Sequence, residues 1–123
     1  MNKIFGFIAM ARPPFHIVGL LPFCLGALIA HSKADVFFPV RFMLGVIGTV
    51  FIMLSTYYGG EYWDYKEDLI SKNEDASLLS GGSGVIQLGV VSRKSALYAS
   101  LINLTLAIFT GIILQFVLFS GGL

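Results

Sequence analysis

The sequence predicts an all-α, polytopic membrane protein with three transmembrane helices. Three observations carry this expectation. Of 123 residues, 56% are hydrophobic and only 12% are charged, whereas a soluble domain carries roughly 25% charge. Mean hydropathy is +0.83. Three uncharged runs, residues 13–32, 42–60 and 95–123, interrupt the charged segments, and each suits a span of about 20 apolar residues. The predicted spans are therefore residues 13–32, 42–63 and 95–119. A net charge of +1 leaves no electrostatic footprint for nucleic acid, so the bilayer is the first partner.

Residues 1–12 mix apolar side chains with Lys3 and Arg12 and are expected to lie along the membrane interface. Pro13 and Pro14 suit a first helical turn, where their missing N–H groups have no intrahelical partner to lose. Pro22 lies deeper and is expected to kink the first span. "ALIA", residues 27–30, is the nearest approach to a leader cleavage site and falls short of the full pattern. Cys24, the only cysteine, has no partner for an intrachain disulfide. His16, His31 and Cys24 have no metal-ligand spacing. Asn103 and Gln115 lie inside the third span, where a polar side chain is expected to face protein rather than lipid.

Charge bias orients the spans. Lys3, Arg12, Lys66, Lys72, Arg93 and Lys94 flank one side, and Lys33 and Arg41 the other. The positive-inside rule then places the N-terminus and the 64–94 loop in the cytoplasm. That loop is polar at first and then reads "LLSGGSGVIQLGVVSRKSA", apolar enough to lie on or dip into the membrane surface. A connection of this length is usually functional.

Six of the seven acidic residues sit in residues 61–75: Glu61, Asp64, Glu67, Asp68, Glu74 and Asp75. Glu61, Asp64 and Asp68 are spaced i, i+3, i+7, one face of a continued helix. Like charges one turn apart repel. In the predicted orientation they also lie near a helix C-terminus, whose partial negative charge favours cations. Each effect opposes the arrangement by a few tenths to about 1 kcal/mol, and a divalent cation would remove both. Mg²⁺ suits carboxylate oxygens. A solvated helix end, with Lys66 and Lys72 offsetting the charge, is the plainer alternative. Gly81, Gly82 and Gly84 could let backbone N–H groups approach an anion or could simply form a turn. Tyr57, Tyr58, Tyr62, Trp63 and Tyr65 read as an interfacial aromatic belt, with carbocation stabilisation by one ring as the sharper reading.

The segment "GEYWDYKED", residues 60–68, resembles the first aspartate-rich motif of the UbiA superfamily of intramembrane prenyltransferases, N-(D/E)-x-x-D-x-x-x-D. "ARPPFHIVGLLPFCLGALIA", residues 11–30, resembles the family's first helix with its Arg-Pro entry. "SGGSGVIQLGVVSRKSA", residues 80–96, is similar to the loop that leads into its third helix. The three segments come in the family's order, and the branch they resemble most is that of the dihydroxynaphthoate (menaquinone-pathway) enzymes. The resemblance implies Mg²⁺-dependent transfer of a polyprenyl group from its diphosphate to an aromatic, quinone-precursor-like acceptor. It implies Asp64 and Asp68 as catalytic metal ligands, with Glu61 as a third acid at the metal. Arg12, Lys72, Gly81, Gly82 and Ser83 would bind the diphosphate, and Arg93 and Lys94 are explained by topology alone.

Two departures stand out. Gly60 occupies the position of the family's Asn. The family also has a second related half with its own acid motif, which this sequence does not contain. The expectation is therefore an N-terminal part that works with a C-terminal half or a partner chain. Two rivals share the same spans: a non-catalytic membrane subunit or assembly protein using the acids for docking, and a half-size transporter. The bias of six basic residues against two argues against the dual orientation that a paired half-transporter needs.

Overall fold

A computed structural model describes residues 2–71 and 82–121. Every regular element among the described residues is helical. Helix α1 is Lys3–Ala11, followed by a 3-10 turn at Pro13–His16 and helix α2 at Ile17–Ala34. Helix α3 is Pro39–Trp63, α4 is Tyr65–Ser71 and α5 is Arg93–Phe119. Three helical stretches are long and apolar enough to cross a membrane: Lys3–Ala34, Pro39–Trp63 and Arg93–Phe119. The protein is an integral membrane protein of the all-α class.

The boundaries differ from the expectation where local chemistry sets them. Helix α3 begins at Pro39 rather than at residue 42, because proline's fixed φ suits a first helical position. Helix α5 begins at Arg93 rather than at residue 95. There the Ser92 hydroxyl accepts the Ser95 N–H at 3.1 Å, a standard N-terminal cap. The predicted loop 64–94 includes the short helix α4. Pro22 lies inside α2, which continues past it to Ala34.

The chain divides into two compact units, Met1–Pro13 with Leu54–Ile102 and Pro14–Met53 with Asn103–Leu123. In the second unit, small residues let helices approach closely, as membrane packing favours. A Cβ added at Gly45 would strike the Phe23 ring, and one at Gly19 would strike Met53. Gly48 lies opposite Thr110, with a Cβ position 3.5 Å from its methyl. The Thr49 and Thr110 hydroxyls donate to Gly45 O and Leu106 O at 2.8 Å each, satisfying themselves within their own helices. Gln115 is exposed, against the expectation that it faces protein. The last turns of α5 also turn Ile113, Phe116 and Phe119 outward, while Leu114 and Leu118 line a cavity with Phe23 and Phe37.

The first unit holds the main buried cluster: Met10, Tyr58, Val85, Ile86, Val91 and Ala96. Here the semi-apolar part of the long loop folds back onto its own chain. Val85 is 1% and Val91 3% exposed, and Gly6 on α1 meets Val85, Val90 and Val91 so closely that a Cβ would fall 2.8 Å from Val91. The loop closes by a Schellman-type turn. Val90 N–H donates to Val85 O at 3.1 Å and Gly89 N–H to Ile86 O at 2.9 Å, with Gly89 at φ +72°. Tyr58 donates its hydroxyl to Phe7 O at 3.2 Å, which ties α1 to α3. Gly59 meets Ser100 across α3 and α5, and Ser100 Oγ donates to Ser55 O at 2.8 Å.

Candidate anion and cation site

The acids are presented by an almost unbroken helical path. Asp64 marks the step between α3 and α4, yet its N–H donates to Gly60 O and the Asp68 N–H donates to Asp64 O, both at 2.8 Å. These i to i−4 bonds preserve helical register, so Glu61, Asp64 and Asp68 share one face. That face lines a cavity of about 310 Å³ with Arg12, Thr56, Tyr57, Gly60 and Gly82.

Arg12 reaches the cavity through backbone geometry. It ends α1 in the left-handed region, at φ 47° and ψ 59°, a conformation that costs a non-glycine residue about 1 kcal/mol. The reversal brings its Nη2 to 3.4 Å from Glu61 Oε1. The same oxygen accepts the Ser83 N–H at 2.6 Å. Glu61 is 2% exposed, and its Oε2 is buried with no hydrogen-bond partner among the described residues. One carboxylate therefore fastens the Arg12 corner and the Gly82–Ser83 segment to α3, and keeps one oxygen in reserve.

Gly82 fits this corner because it has no side chain. A Cβ there would collide with Asp68 Oδ2 and stand 3.3 Å from Glu61 Oε2. Two carboxylate oxygens from residues two turns apart therefore converge on a bare backbone segment. Gly60 is different: a Cβ there would meet only Asp64 Oδ2, at 3.9 Å, an ordinary contact.

Among the described residues, no three Asp, Glu, His or Cys side chains converge closely enough to hold a metal ion alone. Mg²⁺ does not need such a cage, since it commonly binds through one or two carboxylates, waters and substrate phosphates. The orphaned Glu61 Oε2, the adjacent Asp68 Oδ2 and the hard oxygen donor set fit that pattern.

Of the predicted diphosphate residues, Arg12 and Gly82 line the cavity, and the Ser83 N–H is taken up by Glu61. Lys72 and Gly81 lie outside the described residues. Arg93 is engaged elsewhere: its Nε donates to Tyr62 O at 2.8 Å, and its guanidinium carbon stands 4.5 Å from the Tyr62 ring centre. The aromatic cluster divides. Tyr58 is buried, Tyr57 lines the cavity and Trp63 is exposed. Asn103 belongs to the other unit, as do Cys24 and His31, which line a separate apolar cavity of about 190 Å³.

Thr56 was not singled out by sequence reasoning, and Tyr57 was read only as one ring of the aromatic cluster, although a signal tied Tyr57 to the acids. Positions 57, 61, 64 and 68 follow the 3.6-residue period of one helix face. The Glu61–Ser83 bond had no such signal, because it joins residues 22 apart in sequence.

No family description matches this chain, and neither does any curated protein or solved structure.

Proposed function

We propose that this chain carries the first half-site of a UbiA-like intramembrane prenyltransferase. The reaction is Mg²⁺-dependent transfer of a polyprenyl group from its diphosphate to an aromatic, quinone-precursor-like acceptor. The observation that carries the reading is the joint lining of one cavity by Arg12, Glu61, Asp64, Asp68 and Gly82, residues that come from separate segments resembling the family. The second acid motif would come from a C-terminal half or a partner chain. On this reading the N-terminus and the acidic loop face the cytoplasm, where six of the eight basic residues lie.

When bound, Mg²⁺ supplies Lewis-acid charge stabilisation for the departing diphosphate. Asp64 and Asp68 present the carboxylate oxygens that would hold it. Arg12 brings a guanidinium to the same wall, a group suited to phosphate oxygens. Gly82 leaves room for the diphosphate to approach the backbone. Glu61 holds Ser83 and Arg12 in place, and its Oε2 faces the same corner as Asp68. The allylic C–O bond breaks, diphosphate departs with the bonding electron pair, and the prenyl carbon bonds to the acceptor ring, which then loses a proton. The lipid tail of such a substrate is the reason for placing the chemistry on membrane helices.

Binding, rather than turnover, tests this in the chain as it stands. Purified full chain in detergent should bind farnesyl diphosphate only with Mg²⁺. Asp64→Ala and Asp68→Ala should each weaken that binding by at least about tenfold. Binding indifferent to Mg²⁺, or equal in both variants, would refute the reading.

A further inference from the structure

A second cavity in the first unit, about 560 Å³, has a different character from the acid-lined one. Its wall includes Lys3 from α1, Tyr65 from α4, the Ile86 and Val90 side chains, and Arg93 from α5. Among the described residues, no acidic side chain lines it. Lys3 forms no ion pair or hydrogen bond with the described residues. Arg93 uses its Nε on Tyr62 O and its flat face on the Tyr62 and Tyr65 rings, at 4.5 and 5.3 Å. That contact fixes the guanidinium plane and leaves its two Nη groups without a partner among the described residues. Both cations also stand at the first residue of a helix, where the backbone dipole opposes positive charge. The fold thus gathers two cations around one opening and supplies no anion to them among the described residues.

The surroundings indicate which anion. Next to Lys3, α1 turns Ile4, Phe5 and Ile8 outward at 71%, 63% and 50% exposure. Leu88, beside the same loop turn, is 66% exposed. A lysine at the end of an apolar helical stretch suits the membrane–water boundary, where its ammonium can reach the headgroups. The cavity therefore joins a cationic end to apolar walls, the two surfaces that a phospholipid's phosphate and upper acyl chain need.

We propose that this cavity binds the phosphodiester headgroup of an anionic membrane phospholipid. Lys3 acts as a point charge on the phosphate and the fixed Arg93 Nη groups as its directional donors, while the half-buried Val90 meets the upper acyl chain. The bound lipid neutralises two helix ends and fastens α1 to the loop that leads into α5. This site is independent of the transferase reading, so either can fail without the other.

The test is native mass spectrometry of the full chain released from mixed phosphatidylglycerol and phosphatidylcholine micelles. The wild-type chain should retain one phosphatidylglycerol in preference to phosphatidylcholine. Lys3→Gln should lower that retention about fivefold, and Lys3→Glu further. Lys94→Glu makes the same charge change outside the cavity and should leave retention unchanged. Arg93→Lys, which keeps the charge but not the fork, should also weaken it. Equal loss in Lys3→Glu and Lys94→Glu would reduce the effect to net charge and overturn the proposal. So would equal retention of the two lipids, or displacement of phosphatidylglycerol by inorganic phosphate, which would assign the cavity to a free anion.

Discussion

Replacing Glu61 by Ala isolates what the buried carboxylate does. Its Oε1 accepts the Ser83 N–H at 2.6 Å and faces Arg12 Nη2 at 3.4 Å. The substitution leaves a part-buried backbone N–H without an acceptor, which costs about 1–3 kcal/mol. The Arg12 side chain is 26% exposed, so water can rehydrate it and its loss adds little. The combined effect is about 2 kcal/mol on the closure of residues 82–85 over the cavity, equivalent to about 30-fold faster amide exchange at Ser83 if opening is local. Hydrogen–deuterium exchange of the chain in detergent reads this directly. Glu61→Gln keeps an acceptor oxygen for Ser83 and should accelerate exchange far less. Amides in α5 beyond residue 103 serve as the internal control and should not change. If Ser83 exchanges equally fast in wild type and Glu61→Ala, the carboxylate does not fasten the loop and the proposed positioning is wrong.

Three other substitutions probe neighbouring features. Gly82→Ala drives a methyl into the Asp68 carboxylate; since a carboxylate can swing aside, thermal stability should fall by less than about 1 kcal/mol, while Mg²⁺-dependent diphosphate binding should fall at least about tenfold. Gly60→Asn enters open space beside Asp64 Oδ2, so the fold should tolerate it and Mg²⁺-dependent binding should tighten, as isothermal titration would show. Gly59→Val forces branched carbons toward Ser100 Oγ, which already stands 3.0 Å from a Cβ position, and should cost about 1–3 kcal/mol in thermal unfolding.

Legibility differed between elements for physical reasons. Hydropathy over 20 residues is a local property, so the three spanning helices could be read directly from composition and charge spacing. The shared face of Glu61, Asp64 and Asp68 was equally local, given helical register through Asp64. Helix ends were less legible, because Pro39 and Ser92 act through single caps. The apolar stretch after Gly84 was read as lying on or dipping into the membrane surface. Its inward side, Val85, Ile86 and Val91, packs on Met10 and Ala96, a contact that no local pattern announced because the partners are distant in sequence.

Sequence alone determined that this chain enters a membrane as helices and sets Glu61, Asp64 and Asp68 on one helical face at the end of the second span, since both follow from the order of neighbouring residues. Tertiary structure decided how those acids differ. Glu61 is enclosed and bonded to Ser83, Asp68 crowds the bare Gly82 backbone, and Asp64 faces the space beside Gly60. It also drew Arg93 away from the acids, onto Tyr62, and set it with Lys3 around a separate cavity. The reason is common to all of these contacts. Each depends on the left-handed corner at Arg12 and the folded loop after Gly82, which bring distant segments together at distances that no periodicity encodes.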